Sequence, residues 1–166
     1  VDYAFPWDRL VRALKFDGQL ALAPLLAQRL MARAPPVIAT STSMVVPVPL
    51  HGSRLRERGF NQSWEIARHL GRQLGVVTCP DALLRWRATH SQAMLPSDER
   101  RANVQGAFMP APRRGRFVRN QQVALVDDVM TTGATAHAAA QALREAGAST
   151  VTLWVVARTP APAIAD

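Results

Sequence analysis

The sequence predicts an α/β domain built on a mostly parallel, twisted sheet flanked by helices, and three observations carry that prediction. The apolar runs "VALVD" (Val123 to Asp127) and "STVTLWVVAR" (Ser149 to Arg158) bracket a helical stretch, which reads as strand, helix, strand. Parallel strands joined this way need a crossover helix, and such crossovers are right-handed. An earlier apolar run, "MVVPVPL" (Met44 to Leu50), precedes a second amphipathic stretch. The 166 residues suffice for one domain with a sizeable core.

Taken in order, residues from Pro6 to Ala34 read as helical. Trp7, Leu10, Val11 and Leu14 share one face, and Leu22, Leu25, Leu26 and Leu30 continue it after a break at Asp17-Gly18. Pro35-Pro36 ends this segment, because the residue before a proline is pushed out of the helical region. Met44 to Leu50 reads as a buried strand whose prolines place it at a strand end or near an edge. "HGSRLRERG" follows as a polar, arginine-rich loop. A helix is expected from about Asn61 to Leu74, with Phe60, Trp64, Ala67, Leu70 and Leu74 on one face and Gly75 as its stop. Leu83 to Arg101 carries no period and many polar groups, so a long mobile loop is expected there. "VQGAF" (Val104 to Phe108) reads as a short strand, and "TTGATAHAAAQALREAGA" as a turn and helix between the two final strands. Residues 159–166 form a Pro/Ala tail expected to fray. The boundaries are therefore a helical N-terminal segment at 1–36, an α/β core at 37–158 and the tail.

Charge is distributed unevenly. The formal net charge is +8, and the stretch from Arg54 to Arg119 holds thirteen arginines against five acids, which accounts for the whole excess. A basic centre between neutral flanks points to a polyanionic partner: a phosphate ester, a pyrophosphate or a nucleic acid. A single cysteine, Cys79, excludes an internal disulfide and a cysteine-only zinc site, and is read as a small buried apolar residue. Neither a membrane span nor a signal peptide is legible, so a cytoplasmic location is the expectation.

The stretch "VALVDDVMTTGAT", Val123 to Thr135, concentrates the chemistry. Ligands of such sheets sit beyond the carboxyl ends of the strands, which is where Asp127 and Asp128 are delivered. The small, hydroxylated turn that follows opens a helix, where N–H groups face outward and attract anions. Gly133 lets a backbone approach a ligand closely, and Thr131, Thr132 and Thr135 offer hydroxyl donors. Two carboxylates would repel an anion bound beside them unless they face a diol, whose hydroxyls they accept, with a magnesium ion tolerated nearby. A ribose carrying a 5′-phosphate meets both demands. The plainer alternative is a helix N-cap at Thr131 or Thr132 beside two solvated aspartates. A nucleoside-triphosphatase strand is set aside because no G-x-x-x-x-G-K-[ST] occurs, and a response-regulator pocket because only 38 residues follow Asp128.

This stretch resembles the thirteen-residue signature of type I phosphoribosyltransferases, which bind phosphoribosyl pyrophosphate (PRPP). The resemblance implies that fold, with Asp127 and Asp128 holding the ribose hydroxyls and Thr131, Thr132, Gly133, Ala134 and Thr135 the 5′-phosphate. Further stretches are similar to the ComF (competence protein F) and GntX-like branch: Val46 to Leu50, Arg54 to Gln62, Thr89 with Gln92, Arg101 with Asn103 to Phe108, and "LVRALKFDGQ" from Leu10 to Gln19. The resemblance implies a pyrophosphate site at Leu50, His51, Arg54, Arg56 and Arg58, since guanidinium forks match phosphate oxygens. It also implies a flexible loop carrying Thr89, Gln92, Arg100 and Arg101 that closes over PRPP, and a hood formed by the N-terminal helices around Trp7 to Phe16. Members of the branch commonly begin with a four-cysteine zinc module. None is present in this stretch, so a piece of a longer chain is expected.

The activity so implied is transfer of ribosyl 5-phosphate from PRPP, with Mg²⁺, to an unidentified acceptor with release of pyrophosphate. Asp127, Asp128, Arg54, Arg56 and Arg58 would be its catalytic residues. The rival is a module without turnover that senses PRPP or another nucleotide, or binds single-stranded nucleic acid during DNA uptake. His51 and His90 rank below the arginines, and His137 is read as a surface residue. For Trp86, burial in the core is the commoner fate, with a lid contact as the alternative. A homodimer is compatible with this size class, though no residue shows it.

Overall fold

A computed structural model of the chain describes residues 1–87 and 106–159. Three helices come first: α1 (Trp7–Phe16), α2 (Leu22–Arg33) and α3 (Pro36–Ser41). The break between α1 and α2 falls at Asp17-Gly18 as expected, with Gly18 at a φ of 64°. Pro35-Pro36 ends α2 but does not end helical structure. Pro36 opens α3, because a missing N–H costs nothing in a first turn.

Strand β1 (Met44–Pro47) leads to α4 (Gly52–Arg58), α5 (Gln62–Leu74) and the two-residue β2 (Val77–Thr78). Strands β3 (Leu83–Arg85) and β4 (Phe108–Pro110) pair antiparallel as a separate ribbon. A 3₁₀ turn (Gly115–Val118) precedes β5 (Gln122–Met130), α6 (Ala134–Glu145) and β6 (Thr150–Arg158). The main sheet is four-stranded and parallel throughout, in the order β2-β1-β5-β6.

Three local expectations are corrected. The stretch after β1 is a helix and not a loop: His51 caps it at one end by accepting from the Ser53 N–H, and Gly59 at a φ of 82° stops it at the other. Leu83 to Arg85 belongs to β3, where Leu83 is buried on the inner face while Leu84 points outward. The strand read in "VQGAF" starts only at Phe108, since Gly106 turns with a φ of 65°. Of the two positions expected for the β1 prolines, the strand end holds and the sheet edge does not: β1 ends at Pro47 and is internal to the sheet. Its proline occupies the last paired position, opposite Val126, where a missing N–H is tolerated.

The sheet is buried on both faces. Val45, Ala124 and Val126 face α1, α2 and α5 in one core cluster with Val11, Leu26, Ile66 and Leu70. Val46, Val123 and Leu125 face α6, β3 and β4 in a second cluster with Leu83, Phe108 and Leu143. Two-sided burial explains why the strands read as unbroken apolar runs. The expected face of α5 holds for Ala67 and Leu70, with Ile66 added and Trp64 left half-buried. Cys79 is buried as expected, and burial pushes its thiol pKa up. No helix among the described residues is long and apolar enough to cross a membrane. The tail beyond Thr159 lies outside the described residues.

Helix α5 crosses β2 at Gly71, where an added Cβ would lie 2.0 Å from the Thr78 hydroxyl oxygen and 3.3 Å from the Val76 carbonyl. Gly71→Ala is therefore expected to destabilise the fold by about 1–3 kcal/mol, the usual cost of overpacking. Adding Thr78→Ala should recover part of that loss in urea unfolding. Equal stability of Gly71→Ala and the parent would contradict the close packing described.

Candidate functional site

The topology opens a crevice before any side chain is considered. From β1 the chain winds outward through α5 to β2, and from β5 it winds the other way through α6 to β6. The reversal lies between β1 and β5, the position at which open α/β sheets bind ligands. Strand β1 stops opposite Val126, whereas β5 continues beside β6 to Met130. Asp127 and Asp128 thus extend past the end of β1 while still held on their other side. They lie inside β5 and not at its terminus, which corrects the expected position: pairing to β6 carries the strand three residues further than the apolar run.

Both carboxylates are buried, with 9% of Asp127 and 3% of Asp128 exposed. Strand alternation sends them apart. Asp127 turns toward the start of α6 and lines a small open pocket with Val129, Thr131, Gly133 and Thr135. Its Oδ1 accepts from the Ser63 hydroxyl at 3.0 Å and from the Asp128 N–H at 3.0 Å. Asp128 turns toward α1. Its Oδ2 lies 2.9 Å from Lys15 Nζ, and its Oδ1 accepts from the Val129 N–H at 2.9 Å. Burial, and then the Asp128 charge, push the Asp127 carboxyl up from its usual 3.8 to about 7, with Lys15 and the Ser63 hydrogen bond opposing.

The turn into α6 is Thr131-Thr132-Gly133. Neither threonine is the N-cap. Gly133 takes that position with a φ of 78°, and Thr132 Oγ1 only receives the Ala134 N–H at 3.4 Å. The only atom an added Cβ would approach is Met130 Sδ, at 3.7 Å, so the left-handed backbone and not crowding calls for glycine. Thr131 and Thr132 are exposed, Thr135 is half-buried and Ala134 is buried. Of the five, Thr131, Gly133 and Thr135 line the pocket with Asp127, whereas Thr132 and Ala134 do not.

Helix α4 carries the three arginines. Arg54 and Arg58 are one helical turn apart and share a face, while Arg56 falls on another. Arg54 and Arg56 are exposed, and Arg58 is half-buried. Its Nη1 donates to Gln62 Oε1, and its guanidinium lies 5.5 Å from the Phe16 ring centroid. Burial lowers the Arg58 pKa, with the Asp128 charge opposing. Arg85 on β3 has the same character: burial lowers its pKa, Asp127 opposes and Arg54 adds to the lowering. Asn61 ties this region to the sheet, capping α5 through the Ser63 and Trp64 N–H groups and donating to the Val48 carbonyl. Leu50 is half-buried and His51 serves as a helix cap.

Sequence reasoning placed the acids, the turn and Arg58 in one region but missed Lys15, Ser63 and Arg85. Lys15 is the only lysine of the chain, the one signal that could have singled it out. Trp86 is a correction: it is 59% exposed, with its Nε1–H bonded to the Gly106 carbonyl at the foot of the β3–β4 ribbon. His137 is exposed, as expected. Thr89, His90, Gln92, Arg100, Arg101 and Asn103 lie outside the described residues.

Residues 59–166 match the phosphoribosyl transferase domain family. The chain is 36% identical over 163 residues to the DNA utilization protein YhgH of Escherichia coli O157:H7, covering 95% of this chain and 70% of that protein. It is 31% identical over 160 residues to competence protein F of Haemophilus influenzae, covering 94% and 69%. Among solved structures it is similar in fold to the glutamine PRPP amidotransferase of B. subtilis, complexed with ADP and GMP. The TM-score is 0.56 and the identity 21%, over 82% of this chain and 26% of that one.

A raised carboxyl has a defined sign in stability. Between its usual 3.8 and about 7, folded Asp127 keeps a proton that the unfolded chain has released. Its contribution therefore falls as pH rises through that window and is level above it. Asp127→Asn is expected to remove this slope, so the variant gains on the parent from pH 4 to pH 7.5 in urea unfolding. Parallel stability–pH curves for the two proteins would refute the assignment.

Proposed function

The chain belongs to the phosphoribosyl transferase domain family, in its competence-protein-F-like branch, and from that premise we propose that it binds PRPP with Mg²⁺ and transfers ribosyl 5-phosphate to an acceptor. One observation carries the reading: a buried acid pair adjoins a helix-opening turn at the crevice between β1 and β5. A diol and a phosphate joined in one ligand suit that juxtaposition. Asp127 and Asp128 would accept the ribose hydroxyls, and the turn from Thr131 to Thr135 would receive the 5′-phosphate.

Arg58, Arg54 and Arg85 supply the positive face for the pyrophosphate, with Arg56 on a different face of α4. Departure of pyrophosphate leaves positive character at the ribose C1. Cations at the leaving group and carboxylates at the ribose favour that charge separation. Among the described residues no three His, Cys, Asp or Glu side chains come together as a metal site. Two carboxylates are present, and they fit an ion carried chiefly by PRPP oxygens, whose chemistry when bound is neutralisation of the leaving group.

A second reading has its own observation. Phe117 is 45% exposed on the turn before β5, with the Arg114 and Arg116 guanidiniums 5.8 and 5.3 Å from its ring. An exposed ring among arginines suits a base and phosphate of single-stranded nucleic acid, and the relatives are named for DNA utilization and competence.

Calorimetric titration with PRPP–Mg²⁺ is expected to show binding that Asp127→Asn/Asp128→Asn weakens by about a hundredfold, the scale of two lost charge-assisted hydrogen bonds. Absence of binding to the parent, or equal binding to both, would refute the ribose assignment. Pyrophosphate release assayed over a panel of bases and amines separates enzyme from module. No release with any acceptor, beside tight and strongly salt-dependent single-strand binding, favours the second reading.

A further inference from the structure

The last turn of α1 reaches the donor site at two points. Lys15 Nζ lies 2.9 Å from Asp128 Oδ2, joining the only lysine of the chain to a carboxylate that is 3% exposed. Next to it, Phe16 is 63% exposed and so contributes little to the core. Its ring instead meets the Arg58 guanidinium at 5.5 Å and that of Arg12 at 5.7 Å. One contact goes to the acid pair and the other to the arginine that α4 turns inward. Adjacent residues of one helix thus touch both halves of the crevice.

We propose that the C-terminal turn of α1 positions the PRPP-binding side chains, Lys15 holding the Asp128 carboxylate for a ribose hydroxyl and Phe16 holding Arg58 toward the pyrophosphate. This rests on the function proposed above and adds to it two positioning residues that touch no reacting atom. A buried carboxylate with a single ammonium partner keeps lone pairs for a hydroxyl, because its oxygens offer about four acceptor sites. Without that ammonium the Asp128 carboxylate would keep the Val129 N–H but lose its cationic partner beside a second buried acid. Cation–π contact orients a guanidinium without using its N–H donors, so Arg58 keeps those not given to Gln62 for phosphate oxygens. Lys15 also opposes the rise of the Asp127 pKa. The groups acting on Asp127 are Asp128 on its own strand, Lys15 from α1, Ser63 from α5 and Arg85 from β3. Arg54 and Arg58 of α4 act on Arg85 and Asp128 in turn.

The test is calorimetric titration of the parent, Lys15→Met, Lys15→Arg and Phe16→Leu with PRPP–Mg²⁺ and separately with ribose 5-phosphate, from pH 6 to 9. Lys15→Met should weaken both ligands by about tenfold or more and move the onset of binding to higher pH. Lys15→Arg keeps the charge and should restore most of the affinity. Phe16→Leu should weaken PRPP alone and leave ribose 5-phosphate unchanged, a pattern that general loss of structure cannot produce. If Lys15→Met does not fold, Phe16→Leu and Lys15→Arg decide. Unchanged PRPP affinity in Phe16→Leu, or loss of both ligands in Lys15→Arg, overturns the proposal. A parent that fails to bind PRPP overturns the donor-site reading itself. A parent that binds, with variants indistinguishable from it, overturns this inference alone.

Discussion

Two adjacent carboxylates buried in a parallel sheet, just past the end of β1, are the costly element on which this architecture depends. Desolvating one ionised carboxylate costs several kcal/mol, and a second beside it adds repulsion. The chain meets that cost with partners drawn from three elements. Lys15 comes from α1, the Ser63 hydroxyl from α5, and the N–H groups of Asp128 and Val129 from β5 itself. Buried ionisable pairs of this kind concentrate at functional sites, and this pair adjoins the turn at Gly133 beside the β1–β5 crevice.

That same constraint organises the surrounding helices. Helix α5 has to begin beside β5 for Ser63 to reach Asp127, and Asn61 anchors that beginning by bonding to the Val48 carbonyl. Helix α4 is short, closed by His51 and Gly59, and its length sets Arg58 inward over Phe16 while leaving Arg54 and Arg56 in solvent. Helices α1 and α2 share one core cluster with β1, β5 and α5. The N-terminal segment thus supplies a cation to the acid pair, through Lys15. The excess of arginine along the chain resolves in part into local roles, with Arg58 and Arg85 half-buried near the acids and Arg114 and Arg116 around Phe117.

Much of this was legible in the residues. Apolar runs buried on both faces announced β5 and β6, and the 3.6-residue period announced α1, α2 and α5, because each signal repeats within a few residues. The acids and the turn from Thr131 to Thr135 were equally legible, since that whole constellation is contiguous. The misreadings have a common cause. Helix α4 is too short and too polar for a period to show, and its caps are a histidine and a glycine whose roles appear only with backbone angles. Strand β3 is three residues long and gains its identity from pairing with β4, across the undescribed stretch between them.

What the sequence determined by itself was the class of fold, the buried strands and the chemistry of one contiguous site, because these depend on spacing along the chain. What only the tertiary structure decided was which distant groups complete that site. Lys15 lies 113 residues before Asp128, and Ser63 lies 64 residues before Asp127. Lys15 lies within the family-like stretch Leu10 to Gln19, but nothing local there tells which carboxylate it meets, and nothing local pairs Ser63 with Asp127. Their roles exist only because parallel pairing of β1 with β5 brings α1 and the start of α5 to the open end of the sheet, where a buried carboxylate must find a partner.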